Sequence, residues 1–312
     1  MDAAMTERFE ANRSRLASIA YRLLGSAADA EDTVQDAFLR WEAADRSHVD
    51  VPEAWLTKVV TNLALDRLRS AKVRHERAVG AWMPEPLLQG DPMLDPAETF
   101  EQRESVTLAV LTIMERLSPV ERAVYVLYEA FSYRHAEIAD FLDITESASQ
   151  QHAHRARRHV AAERTRTEVD HASAHRIVTA FIDAASSGET EKLVALLTDD
   201  AVAISDGAGG TATKLLRITG PEQIANALRI GYKPTPAKRR LVGGAPSLYS
   251  TVLNGSPALV VTVDDRVVAA LGLDVRGDKI TTVRGMANQA RFDRLTRQWR
   301  QNPSGVLILE SW

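Results

Sequence analysis

The chain has 312 residues, about two domains' worth, and its net charge of −4 does not by itself suggest a nucleic-acid binder. The absence of cysteine excludes disulfide frameworks, thiolate zinc sites and cysteine nucleophiles. With no apolar run near the roughly 18–20 residues of a membrane span, and acidic residues Asp2, Glu7 and Glu10 where an export signal would be basic, the expectation is a cytoplasmic chain with no membrane partner.

The charge is unevenly distributed, −8 over residues 1–170 and +4 over residues 171–312. Phe9, Leu16, Ile19, Ala20, Leu23 and Leu24 recur at helical spacing until Gly25 stops the pattern. A second helix over about 27–44 turns Ala30, Val34, Ala37, Phe38 and Trp41 inward and leaves Glu31, Asp32, Gln35 and Asp36 as an acidic face. After the polar loop 45–50, Pro52 opens a third helix with Trp55, Leu56, Val59, Val60 and Leu63 inward and Lys58, Asn62, Asp66 and Arg69 outward. Trp55 lies close enough to stack on a base, but its place in the apolar stripe favours core packing. Prolines and glycines at 84, 86, 90, 92 and 96 then forbid a long helix and mark a linker.

A further helical unit follows. Ser118-Pro119-Val120-Glu121 is a capping box with proline in the first turn. Two short helices, about 133–142 and 146–164, are separated by Asp143-Ile144-Thr145, with Thr145 as N-cap of the second; this is helix-turn-helix spacing. Beyond Asp170 the pattern becomes α+β. Helices near 172–187 and 190–197 precede strands near 201–205 and 213–219, and a helix runs over about 221–230. Strands are then expected over 238–242, 258–263, 267–275 and 279–286. A curled sheet wrapped on helices, with room for a cavity, is the architecture this order suggests. An amphipathic helix and the apolar stretch Val306–Leu309 form the tail.

The second helix of the helix-turn-helix can turn Ser149, Ala153, Ala156 and Val160 inward. Glu146, Ser147, Gln150, Gln151, His154, Arg155, Arg157 and Arg158 are then outward, a set suited to base edges and phosphates. A solvated helix face is the alternative, disfavoured because turn, cap and basic cluster coincide. On the third helix, Arg67, Arg69, Lys72, Arg74 and Arg77 could neutralise phosphates, and Lys58 and Asn62 could hydrogen-bond splayed bases. Taken alone that face reads equally well as ordinary solvated surface.

Together these residues resemble the extracytoplasmic-function sigma factors, specificity subunits of bacterial RNA polymerase. The matching strings are Ala20-Tyr21-Arg22-Leu23-Leu24-Gly25, the run from Asp29 to Phe38, Ala54-Trp55-Leu56, and Asn62 through Arg69. Leu117 through Arg122, Glu137-Ile138-Ala139 and His154-Arg155-Ala156-Arg157-Arg158 complete the pattern, in order, over nearly all of residues 1–165. Trp82-Met83-Pro84-Glu85-Pro86, Asp206-Gly207-Ala208-Gly209-Gly210 and the α+β region look like the subgroup with a fused SnoaL-like domain, the sigma factor J type.

The resemblance implies two all-α domains, the second with a helix-turn-helix, followed by an α+β NTF2-like cone. Its boundaries are region 2 over 1–80, a linker over 81–104, region 4 over 105–168, the SnoaL-like domain over 171–295 and a tail over 296–312. It implies that Glu31, Asp32, Gln35 and Asp36 dock core RNA polymerase, formed with its beta and beta-prime subunits. It places Lys58, Asn62, Arg67, Arg69 and Lys72 at the minus-10 element of promoter DNA. It places Ser147, Gln150, Gln151, His154, Arg155 and Arg158 at the minus-35 element. Trp82, Pro84, Glu85, Pro86, Asp206, Gly207, Gly209 and Gly210 become regulatory contacts through which the SnoaL-like domain controls the sigma core in place of a separate anti-sigma factor. The recognition helix departs from the pattern in carrying small residues, Ser149 and Ala153, and the turn has Asp143 where glycine is usual.

No cofactor or metal is expected. All eight histidines lie at or before His175, which removes the commonest general base and metal ligands from the cone. Asp206 could act as a base if buried, but its glycine neighbours favour a turn or docking role. His171 and His175 share i, i+4 spacing without a third ligand. The alternative function is a helix-turn-helix regulator whose cone binds a small effector, the small ligand itself being unidentified; a hydrolase or isomerase with a DNA-binding appendage has least support.

Overall fold

The computed structural model describes residues 3–45, 47, 49–75, 83–94, 106–162, 171–206, 216–232 and 235–310. They form two compact units: Met1–Ala78 with Gly90–Arg164, and Val79–Gln89 with Thr165–Trp312.

The first unit is helical. Helix α1 (Ala3–Leu24) buries Phe9, Leu16, Ile19, Ala20 and Leu23 against α2 (Ala27–Ala43) and α3 (Pro52–His75). Gly25, at φ 66°, ends α1 by donating its N–H to the Tyr21 carbonyl, a left-handed geometry that a side chain resists. Ser26 caps α2 by accepting from Asp29 N at 3.2 Å. Trp55 packs beside Trp41 with ring centroids 5.3 Å apart, as its apolar stripe required.

Arg22 is fully buried at the end of α1, among its own helix, residues 93–94 and an aromatic ring. Its guanidinium donates to the carbonyls of Ser18, Met93 and Leu94 and lies over the Phe131 ring, 5.2 Å from the centroid. A buried cation needs such a set of partners to offset its lost hydration.

Helix α4 (Leu108–Met114) starts at the Thr107 cap, and α5 (Pro119–Tyr125) starts at the expected capping box between Ser118 and Glu121. A π-helical turn, Val126–Ala130, extends α5. Helices α6 (His135–Leu142) and α7 (Glu146–Ala162) form the helix-turn-helix. Asp143 sits at the turn with φ 52° and ψ 48°, the left-handed conformation that aspartate tolerates better than most residues, so glycine is not required there.

The second unit is α+β. Its elements are α8 (His171–Ser187), α9 (Thr190–Leu196), β1 (Leu197–Ser205), β2 (Leu216–Thr219), α10 (Pro221–Tyr232) and α11 (Pro236–Val242). Then follow β3 (Ser247–Leu253), β4 (Ser256–Val263), β5 (Arg266–Arg276), β6 (Lys279–Met286), α12 (Asp293–Gln301) and β7 (Val306–Leu309). The sheet runs β2-β1-β6-β5-β4-β3-β7, and among the described strand pairs only β1 with β6 is parallel. Helices α8, α9 and α10 cover one face, where Val178, Phe181, Ile182, Leu193 and Ile224 meet Leu259, Leu273 and Val283.

One expectation is corrected and one strand is added. Residues 238–242 are helical rather than a strand, because Thr235 caps and Pro236 opens a helix that Gly243 ends at φ 88°. Strand β3 at 247–253, to which no element was assigned, is built on the alternation of Leu248, Ser250 and Val252 toward one face.

Candidate polymerase and promoter interface

On α2, Glu31, Asp32 and Gln35 are exposed and Asp36 is half-buried. Leu39, 54% exposed, joins Asp32 and Asp36 on one stripe of the helix, an exposed apolar side chain that hydropathy patterning did not single out. Arg67 of α3 reaches this face: its guanidinium lies 2.7 Å from Asp36 and at 3.9 and 4.0 Å from Asp29 and Asp32. Arg67 thus pairs with the acidic face of α2. Arg69 is exposed and pairs with Asp66 at 3.3 Å. Lys72 lies within α3, its side chain outside the described residues.

Lys58 and Asn62 are committed to the helix-turn-helix. Lys58 Nζ donates to the Asp140 carbonyl at 2.6 Å and pairs with Asp143 Oδ1 at 3.2 Å. Asn62 Nδ2 donates to the Phe141 carbonyl at 3.1 Å, one helical turn along. Thr57 Oγ1 and Tyr133 Oη are 2.9 Å apart, and the Arg15 guanidinium lies 5.1 Å from the Tyr133 ring centroid. The carbonyls that Lys58 and Asn62 reach are those a helix C-terminus leaves without an intrahelical donor.

On α7, Ser149, Ala153, Ala156 and Val160 are buried, as the offsets required. Ser149 is small and polar there because its hydroxyl meets His135 Nδ1 at 2.9 Å, while the His135 ring stacks on Tyr128 with centroids 4.4 Å apart. Of the outward residues, Ser147, Gln150, Gln151, His154 and Arg158 are exposed. Arg155 and Arg157 are exposed as well but carry partners: Arg155 donates Nε to Glu121 at 2.7 Å, and Arg157 pairs with Glu129 and lies over Tyr128, 4.8 Å from the centroid. Burial pushes the Glu121 carboxyl up, but hydrogen bonds from Arg155 and from the Ser118 amide and hydroxyl outweigh it and hold the group below the ordinary range. Burial, with the neighbouring Arg155 charge, lowers the His152 pKa against the opposing pull of Glu121.

In the second unit, Met83 to Leu88 are buried along the end of β3. The Leu87 amide donates to Asn254 Oδ1 at 2.8 Å, the Asn254 amide returns to the Leu87 carbonyl at 3.0 Å, and the Gln89 amide reaches the Val252 carbonyl at 3.2 Å. Leu88 and Leu253 form an antiparallel bridge, and Arg291 donates to the Met83 carbonyl. The strap thus adds to β3 beyond the stretch already paired with β7. Pro84, Glu85 and Pro86 are buried within it.

Asp206 is buried, and its carboxylate accepts from the Ala287 and Asn288 amides at 3.0 Å, tying β1 to the end of β6. Those contacts give it a structural use. Trp82, Gly207, Gly209 and Gly210 lie outside the described residues. His175 Nδ1 is 2.6 Å from Ser250 Oγ. Among the described residues, no group of three or more His, Cys, Asp or Glu could hold a metal ion, and no helix is long and apolar enough to cross a membrane.

Three helices with an acidic face, followed by a helix-turn-helix whose second helix presents glutamines, a histidine and an arginine, define a promoter-recognition subunit. The Sigma-70 region 2 family model matches residues 8–74, and the Sigma-70, region 4 model matches residues 107–160. The ECF RNA polymerase sigma factor SigJ of Mycobacterium tuberculosis (strain ATCC 25618 / H37Rv) is 36% identical over 288 residues, covering 88% of this chain and 92% of that protein. The probable ECF RNA polymerase sigma factor SigI of the same strain is 32% identical over 293 residues, covering 92% and 94%. The crystal structure of Mycobacterium tuberculosis extracytoplasmic function sigma factor SigJ superposes with a TM-score of 0.67 at 31% identity, covering 92% of this chain and 98% of that one. The chain belongs to the extracytoplasmic-function RNA polymerase sigma factors. It is a transcription initiation factor, not an enzyme, and its partners are core RNA polymerase and promoter DNA.

Proposed function

We propose that this sigma factor is autoregulated, its minus-10 face being held by its own helix-turn-helix until polymerase and promoter compete for it. Glu31, Asp32, Gln35 and Asp36 dock the polymerase clamp, and Lys58, Asn62 and Arg69 capture the melted minus-10 strand. Ser147, Gln150, Gln151, His154 and Arg158 meet the minus-35 element. The observation that carries this reading is the pairing of Lys58 and Asn62 with residues 140–143, which spends the same donors that splayed bases would need.

The C-terminal α+β domain, over 171–295, acts through the linker 81–104 in place of a separate anti-sigma factor. Support comes from the strap 83–89, a linker segment hydrogen-bonded to β3 and folded as part of that domain's unit. The test is run-off transcription with core polymerase, comparing the full chain with a 1–170 truncation. Truncation should change the amount of transcript while preserving the choice of promoter. Initiation at different promoters would overturn this division of labour, and an unchanged amount would overturn the regulatory role.

A further inference from the structure

Helices α8, α9 and α10 cover only part of the sheet face on which they pack. Where they stop, the central strands leave Val261, Ala269 and Leu271 half-buried, although apolar side chains in mid-sheet are ordinarily covered. These residues, with Leu248, wall a half-open cavity of about 340 Å³ bounded on its other side by α11. The volume falls within the range of small-molecule sites, about 300–1,000 Å³. Leu241 of α11 also lines it and is 78% exposed, at the open side of the cavity.

The chemistry of the walls selects the ligand. Their exposed surface is almost wholly apolar; of the two lining cations, Lys238 and Arg239, the Lys238 ammonium donates to the Ile230 and Gly231 carbonyls at 2.6 and 2.7 Å. Burying a charged ligand group against such walls would strip its hydration without repayment. We propose that this cavity binds a small, uncharged, largely hydrocarbon molecule, held by Val261, Ala269 and Leu271 on the sheet and Leu241 on α11. The site stands on its own geometry; that its occupancy alters transcription rests on the autoregulatory reading above.

The test uses the full-length chain and the neutral fluorophore 1-aminoanthracene. Saturable, blue-shifted emission is expected at one probe per chain, with a Kd in the micromolar range. Ala269→Trp grows a side chain into the cavity and should weaken binding at least tenfold while leaving the circular dichroism spectrum unchanged. Leu241→Asn, at an exposed position, should weaken it severalfold and guards against a folding defect in the first variant. No saturation would overturn the proposal, as would wild-type affinity in both folded variants. Half a probe per chain with a dimeric elution volume would also overturn it, assigning the face to a second copy. Run-off transcription with and without saturating probe is read separately: binding without any change in transcript supports the site and overturns its regulatory meaning.

Discussion

Lys58 Nζ on α3 stands 3.2 Å from Asp143 Oδ1, the left-handed residue at the turn of the helix-turn-helix. Both side chains are substantially exposed, so the pair is a weak latch: such contacts are worth about 0.2–1 kcal/mol. Its importance lies in which lysine it occupies.

Asp143→Gly removes the carboxylate while keeping a residue suited to φ 52°. It should raise affinity for a single-stranded minus-10 oligonucleotide by about two- to fivefold, the factor that such a weak pair allows. Fluorescence anisotropy on the free chain reads the change. Unaltered affinity would show that the latch does not restrain Lys58.

Reversing the acidic face should act on polymerase rather than on DNA. Asp32→Lys combined with Asp36→Lys is expected to weaken core polymerase binding at least tenfold, whereas Arg67→Gln, which uncovers Asp36, should strengthen it. Surface-immobilised core enzyme gives both values, and equal affinities for all three proteins would remove the docking assignment.

Within α7 the arginines should separate by role. Arg158→Ala and Gln150→Ala should cost promoter affinity, with Gln150→Ala relaxing base preference by about 1–3 kcal/mol. Arg155→Ala should instead lower Tm and leave base preference intact, since its Nε is bonded to Glu121. Competition binding with minus-35 variants distinguishes the two outcomes.

Glu121 supplies a pH dependence. Its folded pKa lies below the unfolded value, so its contribution is fully present above the ordinary carboxylate range and is lost as pH falls through the folded pKa. Wild-type Tm should therefore drop more steeply below about pH 4.5 than that of Glu121→Gln. Parallel curves would contradict the assignment.

Loss of the strap's anchor can be followed by proteolysis. Asn254→Ala removes the acceptor of the Leu87 amide and places alanine at φ 50°, and an unpaired buried amide costs about 1–3 kcal/mol. Cleavage between residues 83 and 89 should accelerate severalfold; wild-type protection would mean that the strap is held by side-chain burial alone.

Much of this was legible in the sequence because local signals agreed with tertiary need. The apolar stripes of α1, α2 and α3, the Ser118 capping box and the inward offsets of α7 each follow from periodicity that the core then uses. Residues 238–242 misled because Leu241 and Val242 outweighed the Thr235-Pro236 start signal that governs the segment. Strand β3 escaped notice because its serines, threonine and tyrosine lack an apolar run, and its place is fixed by register with β4. The partners of Lys58, Asn62 and Arg67 could not be read at all: they lie 31 to 85 residues away in the chain, and only packing brings them together.

A genome offers a DNA-binding chain millions of irrelevant sites, and mass action on them can drain a protein from its target. Because Lys58 and Asn62 are bonded to carbonyls of their own chain, any duplex they meet must first displace internal contacts, a toll levied on every encounter alike. On the proposed autoregulatory reading, that toll is repaid where polymerase has separated the strands and splayed bases take the place of the internal carbonyls, which favours the assembled enzyme over wandering copies of the subunit.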